Sequence, residues 1–195
     1  MIFFCGIVDD HVSAGREKKA VISEDLLARI GNNDMAAFEE LYRKTERSIY
    51  TYALSFLKNH DDALDVMQDT YLKIRAAAHL YEPMGKPMSW VFTIVRNLSM
   101  SKLRLKNRTD DMQVEDIEND LSFSYITNHE DKLVLRAAFK VLNEQERQII
   151  LLHAVSGFKH IEISKYLGIP LSTVLSKYYR GLKKLRKHLM EQEVL

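Results

Sequence analysis

Between residues 22 and 190, apolar side chains recur at intervals of three and four, the spacing of amphipathic helices. Ser23 is placed to cap a short helix over Glu24–Ile30, which Gly31-Asn32-Asn33 ends. Asn33 or Asp34 then caps a longer helix, Met35 to Lys58, with Phe38, Leu41, Tyr42, Ile49, Tyr52, Ala53 and Phe56 inward. Asn59-His60-Asp61-Asp62 restarts the chain into a helix whose apolar face is Ala63, Val66, Met67, Tyr71, Ile74 and Ala78. Its opposite face carries Asp62, Asp65, Gln68 and Asp69. Pro and Gly in Tyr81–Pro87 predict a loop, followed by a helix from about Met88 to Lys106. That helix has an apolar face of Val91, Ile94, Val95 and Leu98 and a second face offering Trp90, Arg96, Asn97, Lys102 and Arg104.

The period fails after Asn107. Between Thr109 and Glu130 lie Asp110, Asp111, Glu115, Asp116, Glu118, Asp120 and Glu130 and no Lys or Arg, which predicts an acidic linker. Periodicity returns at Asp131. One helix runs to Leu142, and Asn143 with Glu146 forms a capping-box pattern for the next, which stops at Gly157. Two more helices flank Leu167-Gly168-Ile169-Pro170. The fold class expected is all-α: two small helical modules joined by an acidic linker, the second a four-helix module containing a helix-turn-helix. The boundaries expected are a tail over 1–21, a first module over 22–106, the linker over 107–130 and a second module over 131–195.

Composition sharpens this picture in three places. Seven Gly and three Pro in 195 residues disfavour turn-rich β architecture. Cys5 is the one cysteine, so neither an internal disulfide nor a cysteine zinc site is available, and a reducing, cytoplasmic setting fits. The apolar opening Met1–Val8 lacks a basic flank and runs into Asp9-Asp10, so it reads as a tail, and no run is long enough for membrane insertion. Net charge is only +1, so its distribution carries the information.

That distribution is one-sided at the end of the chain. From Leu171 to Met190 there are Lys177, Arg180, Lys183, Lys184, Arg186 and Lys187 and no acid. In a helix-turn-helix, Gly168 suits the left-handed turn, Pro170 the entry to the second helix, and Val174 and Tyr178 the inward side. Ser172, Thr173, Ser176, Lys177 and Arg180 then project outward, able to meet a major groove, with Lys183, Lys184 and Arg186 toward phosphate or solvent. A solvated basic face on a plain helical hairpin is the alternative. Enzyme chemistry has no foothold: there is no His-Glu-x-x-His, phosphate loop or nucleophile elbow, no cofactor motif, and His60 beside Asp61 and Asp62 reads as a helix start.

The segment Gly157–Leu189, GFKHIEISKYLGIPLSTVLSKYYRGLKKLRKHL, resembles region four of bacterial RNA polymerase sigma factors, matching at Leu167, Gly168, Ile169, Thr173, Val174 and Lys177. Independently, AFEELYRKTERSIYTYALSFLKNHDDALDVMQDTYLKI and PMSWVFTIVRNLSMSKLR resemble sigma region two and its promoter-melting helix. With no third helical domain between them, the layout is similar to the extracytoplasmic-function (ECF) group. The sequence departs from the family at Lys159, where a Ser or Thr cap is usual, at Leu175, commonly basic, and at Ser101, commonly Asp.

The resemblance implies a transcription initiation factor that binds core RNA polymerase and promoter DNA, without cofactor or metal, and leaves open an anti-sigma partner. It implies polymerase binding through Asp62, Asp65, Gln68 and Asp69, which by charge alone would pass for a solvated face. It implies opening of the −10 element by Tyr81, Lys86, Trp90, Arg96, Asn97, Lys102 and Arg104, with the loop Glu82–Pro87 holding a flipped base, although core packing is the commoner fate of a lone Trp. It implies reading of the −35 element by Ser172, Thr173, Ser176, Lys177, Arg180, Lys183 and Lys184. Two rivals stand beside it: a helix-turn-helix regulator acting without polymerase, and a sigma-like decoy that binds polymerase but no promoter.

Overall fold

The computed structural model describes residues 22–83, 85–109 and 129–191; the expected N-terminal tail and most of the expected acidic linker lie outside them. The described residues are helical and fall into two compact units.

In the first unit α1 is Glu24–Gly31, α2 Met35–Leu57, α3 His60–Ala77 and α4 Pro87–Thr109, with a 3-10 turn at Ala78–Leu80. Side-chain caps set three of the starts: Ser23 Oγ accepts from Leu26 N, Asp34 Oδ1 from Ala36 N and Ala37 N, and Asn59 Oδ1 from Asp62 N. Of the two candidates for the second cap, Asp34 is therefore the one used. Asn33 instead takes a positive φ of 62° between the helices.

The amphipathic reading of α2 holds only for its first half. From Ser48 to Leu57 every residue is buried, with α2 packed against α1, α3 and α4. Tyr52 lies edge-on to Phe56 and to Phe92 of α4, and Thr45 hydrogen-bonds Tyr71 of α3 at 2.9 Å. These buried hydroxyls find partners, as low-dielectric packing requires. On α3 the expected face is met residue by residue, with Ala63, Val66, Met67, Tyr71, Ile74 and Ala78 all buried.

The second unit holds α5 (His129–Val141), α6 (Glu144–Ala154), α7 (His160–Leu167) and α8 (Leu171–Glu191). The capping box opening α6 is complete: Asn143 Oδ1 accepts from Glu146 N, and Glu146 Oε2 from Asn143 N. Helix α8 packs on α5, α6 and α7. At Gly181 a Cβ would stand 2.7 Å from Ile150 Cδ1 and 3.3 Å from Leu142 Cδ2. A side chain at this position would have to push the ends of Ile150 and Leu142 aside, which glycine avoids.

Candidate nucleic-acid and polymerase interface

In the second unit the turn between α7 and α8 is built as the sequence requires. Gly168 takes φ +67°, Ile169 N donates to Ser164 O, and Ser164 Oγ donates back to Ile169 O at 2.7 Å. Val174 and Tyr178 face inward. Beneath them His153 and His160 stack with ring centroids 4.4 Å apart, both edge-on to Tyr178, and His153 Nδ1–H donates to Phe158 O. At Lys159, where the family pattern expects a hydroxyl, the ammonium side chain has no lone pair to cap with. Half a capping box remains, with Lys159 N donating to Glu162 Oε2 at 2.7 Å.

The outward face of α8 carries Ser172, Ser176, Arg180 and Lys183 exposed, with Thr173 and Lys177 half-buried. Tyr179, 55% exposed, joins the row Ser172–Ser176–Tyr179–Lys183 at helical spacing. Charge patterning does not single it out, although its exposed aromatic area beside the basic outward row is the signal that could.

Lys184 departs from expectation. Its ammonium does not point with Lys183 but lies 2.8 Å from Glu146 Oε2 and 3.0 Å from Oε1. Glu146 is itself wholly buried. Burial alone would push its carboxyl up; the Lys184 bond and the Asn143 N–H outweigh that and hold it below the usual range. Lys184 is thus a strut between α8 and α6 and does not stand with Ser176, Arg180 and Lys183 on the outward face. The reason is positional: it stands three residues after Gly181, at the edge of the inward face.

In the first unit, α4 presents Arg96, Asn97 and Arg104 exposed and Trp90 half-buried, with Trp90, Asn97 and Arg104 at seven-residue steps along one row. Tyr81 packs against Trp90, ring centroids 5.3 Å apart, and its hydroxyl donates to Glu24 Oε1. Lys86 is exposed in the loop ahead of α4. Trp90 is therefore neither a core residue nor free, but one wall of a half-open aromatic pair.

Lys102 again differs from expectation. Val91, Val95 and Ser99 form the buried row of α4, and Lys102 and Lys106 continue it toward α3. Lys102 Nζ lies 2.6 Å from Asp65 and 3.1 Å from Asp62; Lys106 Nζ lies 3.1 Å from Asp62. Burial works against both charges, but the mutual hydrogen bonds prevail, lowering the Asp62 carboxyl and raising the Lys102 ammonium. The structure thus ties Lys102 to the acidic helix and not to the Trp90 row. The acidic face is correspondingly graded. Asp62 is largely shielded, Asp65 is shared, and Gln68 and Asp69 stand free on the exposed side.

Two family models match the chain, in order: Sigma-70 region 2 over residues 41–109, and Sigma-70, region 4 over residues 132–185. Together they span well over half of the sequence. The chain belongs to the sigma-70 family, in its ECF group. This sigma factor is 25% identical over 168 residues to the ECF RNA polymerase sigma factor SigK of Mycobacterium tuberculosis H37Rv, covering 83% of this chain and 90% of SigK. It is 25% identical over 169 residues to the ECF factor SigX of Bacillus subtilis, covering 81% and 87%. Among solved structures it is similar to the sigma factor RpoE of Bartonella quintana, with a TM-score of 0.62 and 24% identity, covering 78% of this chain and 96% of that one. Its fold is accordingly that of an all-helical sigma factor, and its function is to direct RNA polymerase to promoters. Among the described residues no helix is long and apolar enough to cross a membrane, and no cluster of three metal-ligating side chains occurs.

Proposed function

We propose that this factor divides promoter recognition between its two units. The first unit, residues 22–106, binds core polymerase through the exposed end of α3 and opens the −10 element. The second, residues 131–195, reads the −35 element, and residues 107–130 act as an acidic linker. Gln68, Asp69 and the solvent-facing part of Asp65 form the polymerase contact, where acidic charge meets a basic partner; Asp62 anchors them. Unpaired bases are held by Tyr81, Trp90, Lys86, Arg96, Asn97 and Arg104, which combine stacking surface with phosphate-neutralising charge. Base edges at −35 are read by Ser172, Thr173, Ser176, Lys177 and Arg180, with Lys183 toward phosphate.

The observation that most supports this reading is the pairing of the two rows. An aromatic and basic row on α4 and a basic, acid-free row on α8 belong to the two matched regions in their proper order. The protein acts as a cytoplasmic, non-enzymatic subunit. An anti-sigma partner follows by analogy with the Bartonella quintana factor, whose structure holds the anti-sigma factor NepR.

The test is promoter-dependent run-off transcription with bacterial core polymerase on a genomic fragment library, beside a Lys177→Glu, Arg180→Glu double variant. Discrete start sites that require the protein and vanish with the variant support the division of labour. Polymerase binding without any start site would indicate a decoy. DNA binding with no polymerase binding would replace the proposal with a stand-alone helix-turn-helix regulator.

A further inference from the structure

Helix α1 lies ahead of the segment that matches region 2, which begins at residue 41, so the family match assigns it no role. Yet it is fixed at both ends to the connection that leads into α4. At its C-terminal end, Gly31 sits so close to the 3-10 turn that a Cβ would stand 3.0 Å from His79 Cα and 3.1 Å from His79 N. Two turns earlier, Glu24 reaches the other end of the same connection. Its Oε1 accepts from the Tyr81 hydroxyl at 3.2 Å and from the Gly85 backbone N–H. Residues seven apart share one face of a helix, so a single face of α1 carries both fastenings.

The placement of this carboxylate is informative. Glu24 stands beside an exposed loop carrying Lys86, next to the Tyr81–Trp90 pair. A negative charge there opposes nucleic acid, so its attraction for DNA cannot explain it. What it does is take two neutral donors four positions apart along the chain, Tyr81 and Gly85. One is the hydroxyl of an aromatic ring against Trp90; the other is the amide of Gly85, whose φ of 71° marks the loop's turn.

We infer that Glu24 is a positioning residue for −10 recognition: its carboxylate bridges Tyr81 and Gly85 and so sets the Tyr81–Trp90 pair and Gly85–Lys86 relative to one another where an unpaired base is received. The inference rests on the proposed role of that loop and adds a residue outside the matched region to its working parts. The relevant chemistry is acceptance of two hydrogen bonds, not charge. Gln at 24 retains a carbonyl acceptor at the same reach, whereas Ala has none.

The experiment uses holoenzyme and a single-stranded oligonucleotide bearing the −10 non-template sequence of a promoter recovered by the run-off selection. Glu24→Ala should weaken binding by about tenfold, the scale of losing hydrogen bonds to a charged acceptor at a partly solvated site. Tyr81→Phe, which keeps the ring and the Gly85 bond, should fall between. Glu24→Gln should bind within about twofold of the unmodified protein, or more tightly through lost repulsion. Hydrogen exchange at the Gly85 amide should accelerate in Glu24→Ala and not in Glu24→Gln. Core polymerase affinity and binding to duplex −35 DNA should be unchanged in all three. Glu24→Ala binding the strand as well as the unmodified protein would overturn the inference. So would Glu24→Gln failing as badly as Ala, since charge or fold would then be the cause. Failure of the unmodified holoenzyme to bind the −10 strand would instead overturn the underlying role of the loop, and the inference with it.

Discussion

Replacing Lys184 by Met removes the ammonium that, among the described residues, bonds the buried Glu146 carboxylate, while keeping the aliphatic stem. Breaking a fully buried pair from one side costs ~3–5 kcal/mol. Here the Glu146 side chain is 1% exposed but that of Lys184 is 41% exposed, and the carboxylate keeps its bond from Asn143 N. Discounting for that solvation, the expected loss is about 1.5–2.5 kcal/mol at pH 7. The sign with pH follows from Glu146. Its carboxyl is held below its ordinary value, so the stability it supplies is present above the unfolded pKa and disappears as pH falls through the folded one. The penalty for Lys184→Met should therefore be present at neutral pH and fade as pH falls through and below the ordinary carboxyl range, where protonation of Glu146 removes the charge that Lys184 pairs. Urea unfolding resolves the unit concerned. Trp90, the chain's one tryptophan, reports only the first unit, so far-ultraviolet dichroism not mirrored in its fluorescence belongs to α5–α8. A cycle with Glu146→Gln isolates the pair term. Binding to generic duplex DNA provides the second half of the test. Lys183→Met should lower the salt slope by about one, and Lys184→Met should leave it unchanged. A loss under about 0.5 kcal/mol with no pH dependence, or a reduced slope for Lys184→Met, would refute the strut and return Lys184 to the DNA face.

Two further outcomes follow from the same reasoning. Gly168→Ala meets no neighbour within 4 Å, so its cost is purely that of a left-handed backbone; about 1–2 kcal/mol should be lost from the second unit while the Trp90 transition stays put. Asp62→Asn removes the carboxylate that Lys102 and Lys106 share but leaves Lys102 its 2.6 Å bond to Asp65, so it should weaken polymerase affinity while the salt slope for generic duplex DNA changes by less than about one; a rise of about two would show that Asp65 does not hold Lys102.

Helix starts are the most legible part of this chain, because Ser23, Asn59 and Asn143 each carry their own cap and the caps act within three residues. The inward face of α3 is equally plain, since one side of it is wet and the other dry. Where a helix is covered all round, as over Ser48–Leu57, periodicity carries no signal, and Tyr50, Thr51 and Leu54 cannot be assigned to a face by spacing. The basic residues divide along similar lines. The outward placement of Lys177 and Arg180 follows from helix phase, whereas Lys102 and Lys184 look equally outward until partners distant in sequence are known. Asp65 is 37 residues from Lys102, and Glu146 is 38 from Lys184. Phase alone contains a hint, since both lysines continue or border a buried row. The tie from Glu24 to Gly85 has no such hint, being a contact between a helix start and a loop that only the folded backbone brings together.

The second half of α2 has no wet side, and Tyr52 and Phe92 interlock across it. Peeling any neighbouring helix away would leave large aromatic area facing water, so the first unit has no inexpensive half-open state in which to be stored. Silencing such a protein is easiest by laying a cover over its outer faces while the interior stays assembled. Its return to duty is then timed by departure of the cover, with no refolding step in between.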